Sequence, residues 1–367
     1  MADPPVGPDE LQRLGLYDPD APDADARLEL IEYLLGLGVT LDDVQGAAYG
    51  DLPALASTIA LRGRPTLTVA ELAAEAGTSE ALARRVLRAL GLPDPDPAAL
   101  VGTDEDVQAL RTLVTGISLL GEEEMLQLAR VIGSSLSRIA DAMVSTFIVN
   151  VAAPSIADDP SGLALARANA EAGVLLRSGG AAIDYLLRRH IEIAQRPLVQ
   201  GVGETQPLAV GFVDLVGSTA LAQRVSIGEL GSLLAAFDRL ASDVIITGGA
   251  RLVKLIGDEV MFVATDPSAA CKVALDLEDQ QTADPRLPDG RAALAYGDVL
   301  TRDGDYFGPV VNVAARAVKF ADPGAVLAAQ ELAQKAADSY RVISVGAQTL
   351  KGFDEPVELF RVERRSR

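Results

Sequence analysis

Residues 211–220 read GFVDLVGSTA, an apolar strand that carries one acid, Asp214, and is followed at once by a turn of small residues. A carboxylate in such a strand needs a nearby cation or hydrogen-bond donors, because an uncompensated buried charge is costly. Gly217, Ser218 and Thr219 open a helix, where unpaired backbone amides and the positive end of the helix dipole favour an anion. The stretch therefore predicts a strand, an anion-binding turn and a helix in direct succession.

The hydrophobic pattern of the chain differs before and after about residue 200. From about residue 27 to residue 194, apolar residues recur three and four apart and the runs close on glycine, as in amphipathic helices. After residue 206, short Val, Ile and Leu strands alternate with helices, which is typical of folds that layer helices on a sheet. We therefore expect a two-domain α+β protein, with an all-α domain over residues 1–197, a linker over 198–206 and a sheet domain over 207–367.

Composition limits the cellular setting and the partners. The net charge of −20 gives an acidic surface that repels nucleic acids and anionic membranes. Cys271 is the sole cysteine, which excludes an intrachain disulfide and favours a reducing compartment. The N-terminus has no signal-peptide pattern, and the uncharged stretch 142–157 is shorter than the roughly 20 residues of a spanning helix. We expect a cytoplasmic protein with no membrane span and no nucleic-acid partner.

A second acid occupies a comparable position. Asp258 lies in the turn of KLIGDEVMF, residues 254–262, between two apolar strands that the pattern predicts to form a hairpin. If the hairpin lies beside the first strand, Asp214 and Asp258 come close together, and like charges at short range need a cation between them. Hard oxygen ligands suit Mg²⁺ or Mn²⁺, and many enzymes use a pair of such ions to catalyse displacement at phosphorus. The two acids together predict metal chemistry, although either turn alone is more often structural.

Three blocks, GFVDLVGST, KLIGDEVMF and DYFGPVVNVAARA, resemble in order and spacing the signature blocks of class III adenylyl cyclase catalytic domains. The resemblance covers about residues 205–363 and implies a ferredoxin-like α/β catalytic domain that converts ATP to cyclic AMP. It implies two divalent metal ions, Mg²⁺ or Mn²⁺, held by Asp214, Asp258 and the backbone carbonyl of Leu215. The roles that it implies for other residues are adenine recognition by Lys254 and Asp305, ribose positioning and transition-state stabilisation by Asn312 and Arg316, binding of the terminal phosphates by Lys351, and phosphate contacts in the turn at Val216, Gly217, Ser218 and Thr219.

The chemistry of these residue types agrees with an adenine site. Adenine presents an exocyclic amine and ring-nitrogen acceptors, which a carboxylate and an ammonium complement. Guanine would set a carbonyl against Asp305 and leave polar groups unpaired, so Lys254 and Asp305 favour ATP over GTP. Asn312 and Arg316 are four residues apart and project from one face if residues 311–320 are helical, which lets both meet one substrate.

The resemblance also implies a dimer. In the family, the metal-binding acids and the transition-state residues of one site come from opposite subunits, and this chain carries both sets. A homodimer with two equivalent sites is therefore expected. The implied reaction is an in-line attack of the ribose 3'-hydroxyl on the α-phosphorus, which releases pyrophosphate.

As a whole, the chain is similar to actinobacterial cyclases whose helical N-terminal domain inhibits the catalytic domain and makes activity rise on acidification. The sole histidine, His190 in YLLRRHIEIAQ, is a candidate proton sensor, because histidine gains charge on mild acidification. A surface histidine without a role is the alternative. The uncharged run MVSTFIVNVAAPSIA, residues 143–157, is either dimer core or the lining of a pocket for a lipid or another small-molecule regulator.

Three competing functions remain open. A catalytically silent, nucleotide-sensing relative is the main alternative, although every catalytic position is filled. A diguanylate cyclase is suggested only by IGDEVMF, which lacks the second glycine. A DNA-binding regulator is suggested by residues 68–92, which have helix-turn-helix spacing and offer Arg84, Arg85 and Arg88 as phosphate contacts.

Overall fold

The computed structural model of the chain describes residues 7–47, 51–195 and 205–365, apart from the side chain of Thr219. Contacts divide the chain into two compact units at residues 196 and 197. The predicted linker over residues 198–206 lies outside the described residues except for Thr205 and Gln206, which are the first residues of a strand. The sheet of the second unit therefore begins two residues before the domain start that the sequence predicts, at Pro207.

The first unit is helical, as the sequence predicts. Thr40, Thr68 and Thr103 each cap a helix by accepting the amide of the third residue, whose carboxylate binds the cap residue in return. The helices of the described part of this unit are α1 (Pro8–Arg13), α2 (Ala24–Gly36), α3 (Leu41–Gly46), α4 (Leu52–Arg62), α5 (Val69–Ala76), α6 (Glu80–Ala89), α7 (Asp104–Leu120), α8 (Glu122–Phe147), α9 (Ala153–Asp158), α10 (Leu163–Ser178) and α11 (Gly180–Gln195).

Two apolar clusters hold these helices together. The first joins α1, α2 and α4 to α10. Gly173 allows α10 to approach α4 so closely that a Cβ added to it would lie 2.5 Å from the Cβ of Ala60. The second cluster joins α5, α6, α7 and α8 around Val86 and Leu110, which are almost fully buried. Helix pairs packed face to face thus account for the core of this unit.

Helices α5 and α6 form the predicted helix-turn-helix, with Gly77 in the left-handed conformation at the turn. The three arginines of α6 all contact carboxylates. The ion pairs join Arg84 to Glu80 and Asp94, Arg88 to Asp94, and Arg85 to Glu122. This surface is neutralised by acids of the same unit, so the geometry gives no support to DNA binding.

The helix that contains the uncharged stretch 142–157 is longer than that stretch. Helix α8, a π-helical segment at Ile148–Ala152 and α9 form a continuous run over Glu122–Asp158. These 37 residues are long and apolar enough to cross a membrane by length and composition alone, and 6% of the apolar window is buried. The helix extends beyond the uncharged stretch because it continues through the charged residues before it, and one such helix is weak evidence for a membrane span.

His190 lies on α11, which has no buried residue. Arg188 pairs with Asp184, and Arg189 pairs with Glu192 at 2.5 Å, so the charged groups that flank His190 in sequence already have partners. No hydrogen bond or ion pair joins His190 to another residue within the described ranges. Glu192, the acid two residues after His190, is thus already paired with Arg189.

The second unit is built on one mixed sheet. Its strands within the described residues are β1 (Thr205–Leu215), β2 (Arg251–Ile256), β3 (Glu259–Ala264), β4 (Gly290–Arg302), β5 (Asp305–Phe307), β6 (Val326–Ala329), β7 (Tyr340–Gln348) and β8 (Val357–Arg364). The strand order is β2-β3-β1-β4-β6-β8-β7, with β5 beside β4, and β4 and β6 are the parallel pair. The succession β1, helix, β2, β3, helix, β4 in the order 2-3-1-4 is the ferredoxin-like arrangement.

Helices cover both faces of this sheet. They are α12 (Ser218–Ala222), α13 (Ile227–Thr247), α14 (Pro267–Ala283), α15 (Pro309–Ala317) and α16 (Gln330–Ala336). Alternate strand residues such as Val213 pack with α13, α14 and α16, whereas neighbours such as Phe212 pack with α15. The predicted α+β architecture, a helical region followed by a ferredoxin-like sheet domain, is confirmed, and alternation directs Asp214 to the α15 face.

Candidate active site

The two predicted metal-binding acids meet at one end of the sheet. β1 pairs with β3 in antiparallel register, so that Asp214 lies opposite Glu259, the residue after Asp258. Gly257 adopts a φ of 66°, which closes the hairpin between β2 and β3 and places Asp258 at its tip. The amide of Leu215 donates to the carbonyl of Asp258 at 3.0 Å, which fixes the hairpin tip against the end of β1.

Asp214 is 3% exposed and is neutralised by two cations of the same chain. Its Oδ2 atom accepts from Nε and Nη2 of Arg291 at 2.9 and 2.6 Å, and from Nζ of Lys319 at 2.8 Å. Arg291 is the direct register partner of Asp214 on β4. Sequence reasoning did not single out either cation, because it treated divalent metal as the compensating charge.

Asp258 is held by the turn that follows β1. The hydroxyl of Ser218 donates to Oδ2 of Asp258, which joins the predicted phosphate turn to the second acid. Gly217 adopts a φ of 74° and is the N-cap of α12, a position that an L side chain would strain. The amide of Val216 donates to the carbonyl of Asp289 at 2.8 Å, so this one group is engaged in backbone pairing rather than presented to a ligand. Thr219 lies in α12, and its side chain is outside the described atoms.

Glu259 adds a third carboxylate that the sequence analysis did not select. Its Oε1 atom is buried without a hydrogen-bond partner among the described residues. Burial raises the pKa of Glu259, the charge of Lys319 opposes that shift, and the charges of Asp214 and Asp258 add to it. A buried carboxylate oxygen without a partner is satisfied either by a proton, which the raised pKa favours, or by a hard cation.

The donor set fits Mg²⁺ or Mn²⁺ rather than a softer metal. Asp214, Asp258 and the Leu215 carbonyl supply only oxygen atoms, and no cluster of three or more acidic, histidine or cysteine side chains suited to a metal occurs within residues 7–47, 51–195 and 205–365. Ions held by one or two carboxylates ordinarily complete their coordination with water and substrate phosphate. The two aspartates could therefore hold such an ion only with further ligands from outside the protein.

The predicted adenine-reading pair is assembled. Nζ of Lys254 lies 2.5 Å from Oδ2 of Asp305, although the two residues are 51 apart in sequence. A register irregularity in β2 between Leu252 and Lys254 and the short strand β5 bring them together. The amide of Tyr306 donates to the other oxygen of Asp305 at 2.8 Å, which orients the carboxylate. Both side chains are part-exposed, with 39% and 32% of their surfaces accessible, so a ligand can reach them.

The predicted transition-state residues lie on α15, which ends at Ala317 and continues as a 3₁₀ turn, Val318–Phe320. The guanidinium carbon of Arg316 is 5.1 Å from the ring centroid of Phe353, so this arginine packs against the turn that contains the exposed Lys351. Asn312 is exposed on the same helix. Among the described contacts, neither Asn312 nor Arg316 bonds to Asp214 or Asp258.

A buried polar cluster lies next to the end of β1. Glu278 and Gln281 on α14 are almost fully buried, and their side-chain oxygens have no hydrogen-bond partner in the described part of the chain. Burial, reinforced by the charges of Asp289 and Asp279, raises the pKa of Glu278 to about 8. Gly290, the register partner of Leu215, leaves room for both side chains, since a Cβ there would lie 2.2 Å from Oε1 of Gln281.

Comparison with known proteins covers both units. Residues 12–192 match the family model described as the adenylate cyclase regulatory domain. A Mycobacterium tuberculosis protein described as uncharacterized is 37% identical over 96% of this chain and 93% of its own length. The pH-sensitive adenylate cyclase of Mycobacterium tuberculosis is 31% identical over 92% of this chain and 88% of its own length. Among solved structures, an adenylyl cyclase from P. aeruginosa is 26% identical and covers 44% of this chain and 97% of that chain, with a TM-score of 0.38.

Proposed function

Because the chain belongs to the class III adenylate cyclases of the actinobacterial type, which carry an N-terminal regulatory domain, we propose that it cyclises ATP by two-metal catalysis at sites shared between two subunits. The products are 3',5'-cyclic AMP and pyrophosphate. The observation that carries the proposal is the meeting of Asp214 and Asp258 at the end of β1, on a sheet that also assembles the Lys254–Asp305 pair.

Each residue has a distinct part in the proposed reaction. Asp214, Asp258 and the carbonyl of Leu215 would hold two Mg²⁺ or Mn²⁺ ions, which, when bound, lower the pKa of the ribose 3'-hydroxyl and neutralise the departing pyrophosphate. Arg316 stabilises the negative charge that develops on the α-phosphate during in-line attack, and such electrostatic help is worth several kcal/mol. The remaining contacts are those of Asn312 with the ribose, of Lys351 with the terminal phosphates, and of residues 216–219 with the phosphate chain.

Selectivity for ATP follows from the Lys254–Asp305 pair. The carboxylate of Asp305 accepts from the exocyclic amine of adenine, and the ammonium of Lys254 donates to a ring nitrogen. GTP would place its carbonyl oxygen against the Asp305 carboxylate and leave both unpaired, which disfavours its binding. The ion pair supports this reading because it holds the two groups in register before the base arrives.

A homodimer is proposed because Asn312 and Arg316 have no described bond to the acids of their own chain. In a head-to-tail pair, α15 of one subunit would meet the sheet end of the other, and two equivalent sites would form. The exposed position of Asn312 and the accessible Lys254–Asp305 pair support such a pairing, since both surfaces are open to a second copy.

Regulation is proposed to act through the helical unit. The match of this unit to a regulatory-domain family and the pH-sensitive relative support a cyclase that is autoinhibited and activated by acid. His190 on the exposed helix α11 is the proposed proton sensor, and a lipid or small molecule is the alternative effector. Replacing His190 with alanine is expected to flatten the pH dependence of activity between about pH 5 and pH 8, and an unchanged profile contradicts the assignment. We also propose a cytoplasmic location.

The direct test of the activity is product identification. Purified full-length protein is incubated with ATP or GTP in the presence of Mn²⁺ or Mg²⁺, and the nucleotides are separated by chromatography and identified by mass. Cyclic AMP from ATP, with little cyclic GMP from GTP, supports the proposal. Tight binding of ATP without any cyclic product would instead favour the nucleotide-sensing alternative.

A further inference from the structure

Three hydrogen bonds converge on a single oxygen atom of Asp214. Oδ2 accepts two from Arg291 and one from Lys319, at distances between 2.6 and 2.9 Å. Such charge-assisted bonds are among the stronger ones in proteins. A divalent ion that uses this oxygen must therefore displace a nitrogen that already holds it.

The two cations differ in how easily they can leave. Arg291 is on β4, directly opposite Asp214, and 23% of its side chain is exposed. Lys319 lies in the 3₁₀ turn after α15, and 54% of its side chain is exposed. The backbone at this turn is anchored by the fully buried Val318, but the lysine stem is flexible and its ammonium is readily solvated in water. Lys319 is therefore the displaceable partner, and Arg291 is the fixed one.

We propose that Lys319 is a built-in competitor of the divalent ion: it holds the Asp214 carboxylate in the metal-free protein and thereby sets the metal concentration at which the site fills. This inference rests on the metal site of the proposed function and deepens it, because it names a positioning residue outside the three signature blocks. Lys319 does not contact substrate in this role. It acts only through Asp214.

Charge balance around the site supports this role. Arg291 and Lys319 both bind Asp214, so two positive charges lie beside Asp214 and beside Asp258 at the adjacent hairpin tip. Without Lys319 one of these positive charges is lost, and no ammonium repels a metal ion at close range. The lysine also keeps Asp214 compensated when no metal is bound, which avoids the cost of a buried unpaired charge.

Metal binding at Asp214 is also expected to depend on nucleotide, for the same electrostatic reason. With Lys319 in place, the carboxylates alone attract a divalent ion weakly. The triphosphate of ATP brings additional negative charge and further oxygen ligands. Filling of the site thereby depends on nucleotide binding as well as on the free metal concentration.

The test is a direct Mn²⁺ titration of the full-length protein without nucleotide, followed by the enhancement of water-proton relaxation that bound Mn²⁺ causes. Lys319→Met is expected to tighten Mn²⁺ binding about tenfold, which corresponds to about 1.4 kcal/mol. Lys319→Arg keeps the charge and is expected to bind within about twofold of the wild type. Lys272→Met is the matched control, because it removes the same charge from an exposed ion pair on α14 and is expected to change nothing.

A second readout separates competition from a merely structural role. In metal-free buffer, Lys319→Met is expected to unfold at a lower temperature than the wild type, because Asp214 loses a partner. Added Mn²⁺ is expected to raise its unfolding temperature by more than that of the wild type, because tighter ligands stabilise more. Lys319→Gln, also neutral, gives the same comparison should the methionine variant fail to fold.

Mn²⁺ affinity of Lys319→Met or Lys319→Gln that is equal to or weaker than that of the wild type overturns the inference. If the wild type and the neutral variants all bind Mn²⁺ no better than Asp214→Asn, the metal site itself is wrong and the inference falls with it. Measurable wild-type binding that Asp214→Asn abolishes, without a gain in the neutral variants, removes Lys319 alone and leaves the proposed function standing.

Discussion

Lys254 on β2 and Asp305 on β5 form an ion pair at 2.5 Å before any nucleotide is bound. Asp305→Ala removes the acceptor for the exocyclic amine of adenine and leaves Lys254 without its partner. We expect kcat/KM for ATP to fall at least about tenfold, because a half-exposed polar contact is lost at the base, and the preference for ATP over GTP to shrink.

The control for this variant is Asp338→Ala, which removes an exposed carboxylate from the turn after α16. Steady-state cyclic nucleotide production from ATP and GTP measures both. An Asp305→Ala enzyme with the selectivity of the control would exclude the pair from base recognition.

Glu278 makes the stability of the sheet unit depend on pH. Its pKa is raised by burial from 4.5 to about 8, so the folded state keeps a proton that the unfolded chain releases. For an acid with a raised pKa, native stability is fully present below about pH 4.5, decreases as pH rises toward 8, and is constant above it. Glu278→Gln removes this dependence. The free energy of unfolding of the variant, relative to that of the wild type, is therefore expected to increase from about pH 5 to pH 8, by at most about 5 kcal/mol.

Urea unfolding of full-length protein at the two pH values measures the effect, and Glu358→Gln on the exposed surface of β8 is the control. A constant difference between Glu278→Gln and the wild type across that range would show that Glu278 is ionised in the folded state.

Replacement of two glycines by alanine is expected to change the free energy of unfolding in opposite directions. A Cβ at Gly211 in β1 would lie 2.3 Å from Cζ of Phe262 and 2.8 Å from Cδ2 of Leu294, both of which are fully buried. Gly211→Ala is therefore expected to destabilise by about 1–3 kcal/mol through overpacking. Gly231→Ala in α13 meets no atom within 4 Å and is expected to stabilise by about 0.5–1 kcal/mol, because alanine is the better helix former. Thermal unfolding of the two variants measures this contrast, and a stabilising Gly211→Ala would contradict the packing described here.

The sequence predicts the local parts of this site well. Asp258 is at a hairpin tip because Gly257 permits the turn, and Asp214 is at the end of an apolar strand next to a small-residue turn; both features depend on neighbours in sequence. The helical and sheet-containing halves are likewise predictable, because their periodicities differ.

Non-local contacts are what the sequence could not supply. Arg291 and Lys319 are 77 and 105 residues from Asp214, and their meeting depends on the β1–β4 register and on where α15 ends. Glu278 is on α14, and a charged residue on a helix usually faces solvent. Only the packing of α14 on the sheet shows that this one is buried. The pattern marks Asp214 as charged in an apolar strand, but only the three-dimensional fold identifies its protein partners.

The central claim, that the acids of one subunit work with the arginine of another, is tested most directly by subunit complementation. Asp214→Ala and Arg316→Ala proteins are purified separately, mixed, and assayed for cyclic AMP from ATP with Mn²⁺. Each variant alone is expected to be nearly inactive, because one lacks the metal site and the other lacks transition-state stabilisation. The mixture is expected to recover up to about a quarter of wild-type activity, since half of the randomly formed dimers are mixed and each mixed dimer contains one intact site. No recovery from two folded proteins that exchange subunits would contradict the claim.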